Sequence, residues 1–267
     1  MMLVGGLLGL IIGAILGLTG AGGGIFAVPA LVFGLGLEIR VAAPVALLAV
    51  GTAAAFGAWQ GLRQGIVRYR AALVLAAAGA MTAPIGIKVA HWLPSAWLNM
   101  IFVCVILVVA YRMAVSSGSA QADAAVLAGR GAPCKVSTET GRFIWKPRTA
   151  VTLAGIGAIT GMFTGMLGVG GGFIIVPALG YVSDLRMHSI VATSLMVIAL
   201  LSAVTVLAAG VHGLSLTAAT AAFSVATLVG MACARSFASR IPSTVLQRLF
   251  AIACLVVAAM MLMRDIS

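Results

Sequence analysis

The sequence predicts an all-α polytopic membrane protein made of two inverted repeats. Of the 267 residues, 63% are apolar and only 8% are charged, and the mean hydropathy is +1.21. Soluble domains carry about 25% charge, so the chain is solvated by lipid and a large soluble enzyme domain is excluded. The apolar residues form continuous runs rich in Ala, Leu, Val and Gly, which satisfy their backbone groups as helices rather than as alternating barrel strands.

The second half of the chain repeats the first. Residues 9–113 align with residues 157–261 at a constant offset of 148 without a gap, and 13 of 32 positions are identical between 9–40 and 157–188. Because the glycines and prolines match in register, shared composition does not explain the alignment. We expect a first transmembrane repeat over 1–113, a polar cytoplasmic linker over 114–147 and a second transmembrane repeat over 148–267.

Each half divides into about five apolar segments. They are predicted at 3–18, 25–37, 41–61, 71–90 and 95–113, and again at 151–166, 173–183, 189–210, 214–236 and 243–263. The second segment of each half reaches only about 16–20 Å as a helix, which is too short to cross a bilayer alone. It either tilts and is completed by neighbouring backbone, or forms a re-entrant hairpin with the segment before it.

The first segment of each half carries glycines at four-residue spacing. These are Gly5, Gly9, Gly13 and Gly17, and Gly157, Gly161 and Gly165. In lipid, a stripe of small residues lets another helix approach closely, and close packing is therefore their predicted role.

Two glycine loops follow those stripes, at 20–24 and 168–172. Each glycine inside a helix costs about 1 kcal/mol relative to Ala, so helix packing alone does not explain them. A short helix with a proline near its start is predicted after each loop, and its free N–H groups and positive dipole end favour an anion. A structural turn without a ligand is the alternative. The candidate substrate-binding glycines are Gly22, Gly23, Gly24, Gly170, Gly171 and Gly172, and Pro29 and Pro177 are predicted to be structural.

The third segment of the second half carries two adjacent hydroxyl residues near its start, Thr193 and Ser194. Together with Thr52 and Ser202, they are candidate donors to an anion's oxygens, although hydroxyls in helices also bond to their own backbone carbonyls. All five acidic residues fall in loops or at the terminus. Because membrane cation sites usually use intramembrane carboxylates, an anionic substrate fits better than a cation.

Basic residues indicate the orientation of the halves. In the first half Arg63, Arg68 and Arg70 lie around the connection between the third and fourth segments. In the second half the basic residues gather instead around the connection between the fourth and fifth segments, at Arg235, Arg240 and Arg248. If both groups face the cytoplasm, equivalent loops lie on opposite sides of the membrane, and the halves are inverted.

The two Gly-Gly-Gly-x(4)-Pro elements resemble those of the sulfite exporter TauE/SafE family. The motif falls on Gly22 to Gly24 with Pro29, and on Gly170 to Gly172 with Pro177. Thr193 and Ser194 also match a family feature, but the first half departs from it with Val45 and Ala46. The resemblance implies a multi-pass inner-membrane transporter of sulfite, a sulfonate or a related sulfur-containing anion.

The functional hypothesis is a secondary transporter for such a small anion in the cell inner membrane. The expected partners are the anion and the lipid bilayer, with homo-oligomerisation left open and with no nucleic acid, metal or cofactor. One alternative is a membrane scaffold or assembly partner that transports nothing and uses its glycine stripes to oligomerise. An intramembrane enzyme is disfavoured because the spans contain no cluster of His, Asp, Glu or Cys.

Overall fold

The computed structural model describes residues 2–20, 23–116, 147–183, 185, 187–209, 217–237, 252 and 254–259. Nine helices follow one another in these ranges: α1 Met2–Thr19, α2 Gly23–Leu35, α3 Ile39–Arg63, α4 Tyr69–Trp92, α5 Ser95–Ser116, α6 Pro147–Leu167, α7 Gly172–Val182, α8 Met187–Ala209 and α9 Ala218–Phe237. Six of them are long and apolar enough to cross a membrane. The all-α polytopic membrane class is therefore confirmed.

The helix positions follow the spacing found in the sequence. The starts of α7, α8 and α9 fall 148 or 149 residues after those of α2, α3 and α4. Most of the predicted linker at 114–147 and most of the last predicted segment at 243–263 lie outside the described residues. Within the described chain, each half thus contributes the same series of a long helix, a short helix and two long helices.

The glycine stripes bring helices of different halves into backbone contact. Along α1, an added Cβ at Gly5 would lie 2.8 Å from Ala219 O, and one at Gly17 would lie 2.8 Å from Met231 O. Since residue numbers rise together along α1 and α9, the two helices run parallel. The close-packing role predicted for the stripes is confirmed.

The glycine stripe of the second half makes the equivalent contact with a helix of the first half. Gly157, Gly161 and Gly165 on α6 face the backbone of Leu75, Gly79 and Ala83 on α4, so closely that a Cβ at any of the three would collide. The first helix of each half therefore packs against the fourth helix of the other half.

Helices α3 and α8 pack together in the centre. Gly51 lies against Ser202, Gly57 against Leu195, and Gly61 against Ala192, so residue numbers rise on one helix as they fall on the other. Because α3 and α8 occupy equivalent positions in the two halves, equivalent helices run in opposite directions. An inverted repeat requires this geometry.

The short helices fold back along the long helices that precede them. Gly23 lies against Leu16 and Gly34 against Leu8, so α2 runs antiparallel to α1. Both short helices begin earlier than predicted, by two residues for α2 and one for α7. Consequently Pro29 and Pro177 lie inside their helices rather than near the start. Proline has no backbone N–H, so it leaves the carbonyl four residues earlier without its usual helical donor.

Candidate functional site

The two glycine loops meet in the middle of the molecule. Gly24 in the first turn of α2 faces the carbonyl of Val169 in the second loop. Val50 lies at the midpoint of α3, and its Cγ1 would be 3.6 Å from a Cβ at Gly24 and 3.8 Å from a Cβ at Gly170. All four residues are buried. Both loops therefore reach the level of the middle turns of the central helices.

The second loop has a left-handed backbone that only glycine adopts readily. The φ angles of Gly168, Gly170 and Gly171 are +70°, +74° and +66°, and Gly171 is the N-cap residue of α7 without a side-chain cap. Gly168 N–H donates to Thr164 O at 2.9 Å. Among the described residues, the backbone N–H groups from Val169 to Phe173 have no hydrogen-bond acceptor, although these residues are buried.

Unpaired N–H groups of this kind are rare in a buried site. Buried backbone donors almost always have a partner, because losing hydration without one costs about 1–3 kcal/mol. Here they lie together at the N-terminus of α7, where the helix dipole adds partial positive charge. The second loop can therefore accept a small anion by backbone N–H groups.

Two buried hydroxyls beside this loop also lack partners. Thr160 Oγ1 and Ser202 Oγ form no hydrogen bond, and their residues are 0% and 1% exposed. Thr160 lies on α6 against Gly171, while Ser202 lies on α8, with its Oγ 3.7 Å from a Cβ position at Gly170. Both residues thus lie beside the loop on two helices, Thr160 with its Cγ2 against Gly171 and Ser202 with its Oγ toward Gly170.

Other buried hydroxyls in the spans behave differently. Thr164, Thr205 and Thr227 donate to the carbonyl four residues earlier, at 2.7–2.8 Å, as helical hydroxyls commonly do. The unpaired state of Thr160 and Ser202 is therefore specific to the second loop. Ser202 is among the hydroxyls that the sequence offers as donors, but Thr160 is missed, because its helical position resembles that of any packing residue.

The two hydroxyl residues singled out by sequence lie elsewhere, at the end of the molecule where α3 ends. Thr193 Oγ1 accepts from Arg68 N–H at 3.0 Å. Ser194 Oγ lies 2.8 Å from Val191 O and 3.3 Å from Gly20 O, as donor to these carbonyls. Ser194 therefore ties the first loop to α8, and Thr193 holds the connection between α3 and α4.

The six predicted glycines are only partly brought together. Gly24 and Gly170 meet at Val50, and Gly171 and Gly172 continue from Gly170 into α7. Gly23 faces the backbone of Leu16 instead. Gly22 lies outside the described residues.

The partly buried charges at the end of the molecule where α3 ends are positive. Arg235 on α9 reaches across to α3 and donates from Nη1 to Gly57 O at 2.7 Å, and the half-buried Arg68 has an Nε without a partner. Glu38 is the sole carboxylate in the described chain, and it is exposed at the opposite end, before α3. Within the same residues no group of His, Cys, Asp or Glu could hold a metal ion.

Taken together, paired broken-helix loops at the centre of crossed apolar helices define a multi-pass membrane protein of the transporter class. The family described as Sulfite exporter TauE/SafE matches residues 5–261. The chain belongs to this family.

Curated relatives agree with the transporter class. A probable membrane transporter protein of Xylella fastidiosa, strain Temecula1, is 25% identical over 258 residues, which cover 96% of this chain and 92% of the relative. A protein of the same description from another strain of that organism is 25% identical over 205 residues, covering 76% of this chain and 72% of the relative. No solved structure matches the chain significantly. The protein is thus a multi-pass membrane transporter, and these bacterial relatives are consistent with the inner membrane.

Proposed function

We propose that this protein is a secondary transporter that moves a small anion, such as sulfite or a sulfonate, across the inner membrane. The anion is held at the glycine loops by backbone N–H groups at the N-termini of the short helices. The two halves form an inverted repeat and rock against each other to alternate access. This proposal includes the division into repeats over 1–113 and 148–267, joined by a cytoplasmic linker.

One observation carries the proposal: the run of buried N–H groups from Val169 to Phe173 without an acceptor among the described residues. An anion supplies the missing acceptors and also suits the dipole of α7. The packing at the loop is tight, since Ile198 Cγ2 would lie 3.2 Å from a Cβ at Gly170. Relative movement of the central helices is therefore needed to admit the anion.

The scaffold alternative loses its main support. It required the glycine stripes to be free for a second molecule, but in α1 and α6 those glycines lie against the backbones of α9 and α4 of the same chain. Without the stripes, no feature of the described surface favours the scaffold over transport.

The test is flux into proteoliposomes containing the purified protein, measured against sulfite, sulfate, taurine, sulfoacetate and chloride. We expect saturable flux of at least one sulfur oxyanion or sulfonate above the level of protein-free liposomes, and little flux of chloride. A protein that is folded by circular dichroism but gives no saturable flux of any of the five would refute the transporter proposal and favour the scaffold.

A further inference from the structure

The two glycine loops have different surroundings despite their matching sequences. Beside the second loop, Thr160 and Ser202 present unpaired hydroxyls. The positions equivalent to them in the first half are Ile12 and Ala54, which are buried at 2% and 0% exposure and have no polar side-chain atom. The sequence repeat therefore keeps the glycines of the loop but not the hydroxyls next to it.

The first loop is also bound into the fold by its own polar contacts. Gly20 N–H donates to Leu16 O at 2.7 Å, as Gly168 N–H does to Thr164 O in the second loop, but Gly20 O also accepts from Ser194. Leu16 packs against Gly23, whereas the equivalent residue of the second half, Thr164, packs against Gly171. In its described residues, the first loop thus has apolar side chains where the second loop has hydroxyls, and it is tied to α8 through Ser194.

We infer that the substrate is held asymmetrically, at the second glycine loop alone, with the hydroxyls of Thr160 and Ser202 donating to its oxygens. This inference rests on the proposed transport function and names the ligand class more closely. Hydroxyls on two separate helices, together with the N–H groups of the loop, suit an anion with several acceptor oxygens, such as sulfite. A halide has no such set of separate acceptor atoms, so chloride gains less from these donors.

The experiment compares hydroxyl-deletion variants in proteoliposomes. Thr160→Val and Ser202→Ala each remove one hydroxyl with little change of shape. We expect each to raise the KM for sulfite about tenfold, as the loss of one hydrogen bond to a charged group predicts. Any residual flux of chloride should change less than twofold. Thr160→Ser keeps the hydroxyl and should retain a KM near that of the wild type.

Matched controls come from buried hydroxyls that bond to their own helices. Thr205→Val on α8 and Thr227→Val on α9 should leave the sulfite KM unchanged. If Thr160→Val and Ser202→Ala are folded and keep the wild-type KM, or if the controls lose as much, the asymmetric site is wrong while transport stands. A wild-type protein without saturable anion flux refutes both proposals.

If Thr160→Val or Ser202→Ala does not fold, the reciprocal change decides the question. Ala54→Ser puts a hydroxyl at the first-half position equivalent to Ser202 and should not alter the sulfite KM if the first loop is only structural. A several-fold decrease in KM in this variant would show that the first loop also binds, and would overturn the asymmetry.

Discussion

At the residue scale, glycines in the two loops meet two separate requirements. One is a positive φ, which in a residue with a Cβ costs about 1–2 kcal/mol. The other is space, since a Cβ at Gly23 or Gly171 would collide with Leu16 or Thr160. Bulky substitutions at these two positions therefore threaten the fold as well as the site, and do not separate the two effects.

The Gly170→Ala substitution separates the effect on the fold from the effect on the site. Gly170 has a φ of +74°, and Gly65 is the control, because it has a similar φ of +68° and nothing lies within 4 Å of an added Cβ there. We expect each of Gly170→Ala and Gly65→Ala to lower the free energy of unfolding by about 1–2 kcal/mol through the strained backbone, and Gly170→Ala to add a packing cost because its methyl group meets Ile198 Cγ2 at 3.2 Å. Only Gly170→Ala should lose most of the sulfite flux, since its methyl group lies beside Ser202 Oγ. Thermal unfolding in detergent and flux in proteoliposomes measure the two effects, and equal flux in both variants would contradict a role of the loop in binding.

At the scale of elements, the parallel pair α1 and α9 depends on the absence of side chains at the stripe. An added Cβ at Gly13 would lie 2.8 Å from the carbonyl carbon of Thr227 and 2.9 Å from Met231 N. These are backbone atoms of α9, which cannot turn aside as a side chain does. The helices must separate, and dispersion contacts along the whole stripe weaken as they do so.

Gly13→Ala should therefore lower stability by about 1–3 kcal/mol, as overpacking of a core does. Gly6 is the matched control on the same helix, because a Cβ there meets nothing within 4 Å. We expect Gly6→Ala to be neutral or to stabilise α1 by up to about 1 kcal/mol through helix propensity. The measurement is the unfolding temperature in detergent, and equal temperatures for the two variants would argue against the packing of α1 on α9.

At the scale of the whole molecule, positive charge gathers at one end. The end of α3 meets the start of α8 and the end of α9, through Gly61 beside Ala192 and Arg235 bonded to Gly57. Parallel packing of α6 on α4 places the start of α6 near the start of α4. That end carries Arg63, Arg68, Arg70, Arg148 and Arg235. The positive-inside rule predicts that this end faces the cytoplasm.

This orientation predicts opposite accessibility for equivalent positions. Tyr69 at the start of α4 and Thr217 just before α9 are equivalent in the repeat, and both are exposed. In a background with the four native cysteines replaced by Ala, Tyr69→Cys should react with a membrane-impermeant maleimide from the cytoplasmic side and Thr217→Cys from the other side. Labelling of both variants from the same side would refute the inverted orientation.

Much of the architecture could be predicted from the sequence because its causes are local or compositional. Continuous apolar runs require helices in lipid, and the spacing of Gly5, Gly9, Gly13 and Gly17 indicates a close helix contact without naming the partner. The short length of α2 and α7 likewise follows from their segments. The sequence predicts the start of α2 two residues too late, because glycines that break an isolated helix are tolerated in a first turn packed against Leu16.

By itself, the sequence determined the membrane class, the repeated helices and the two glycine loops, since these depend on hydropathy, segment length and local backbone preference. The tertiary structure decided which hydroxyls remain unpaired. Ser194 and Thr193 look like anion ligands in the sequence but are hydrogen-bonded to Gly20 and Arg68. The residue Thr160 lies beside Gly171, and its hydroxyl has no hydrogen-bond partner. Hydrogen-bond partners distant in sequence meet only when the helices cross, so no local pattern distinguishes a bonded hydroxyl from one that a ligand can use.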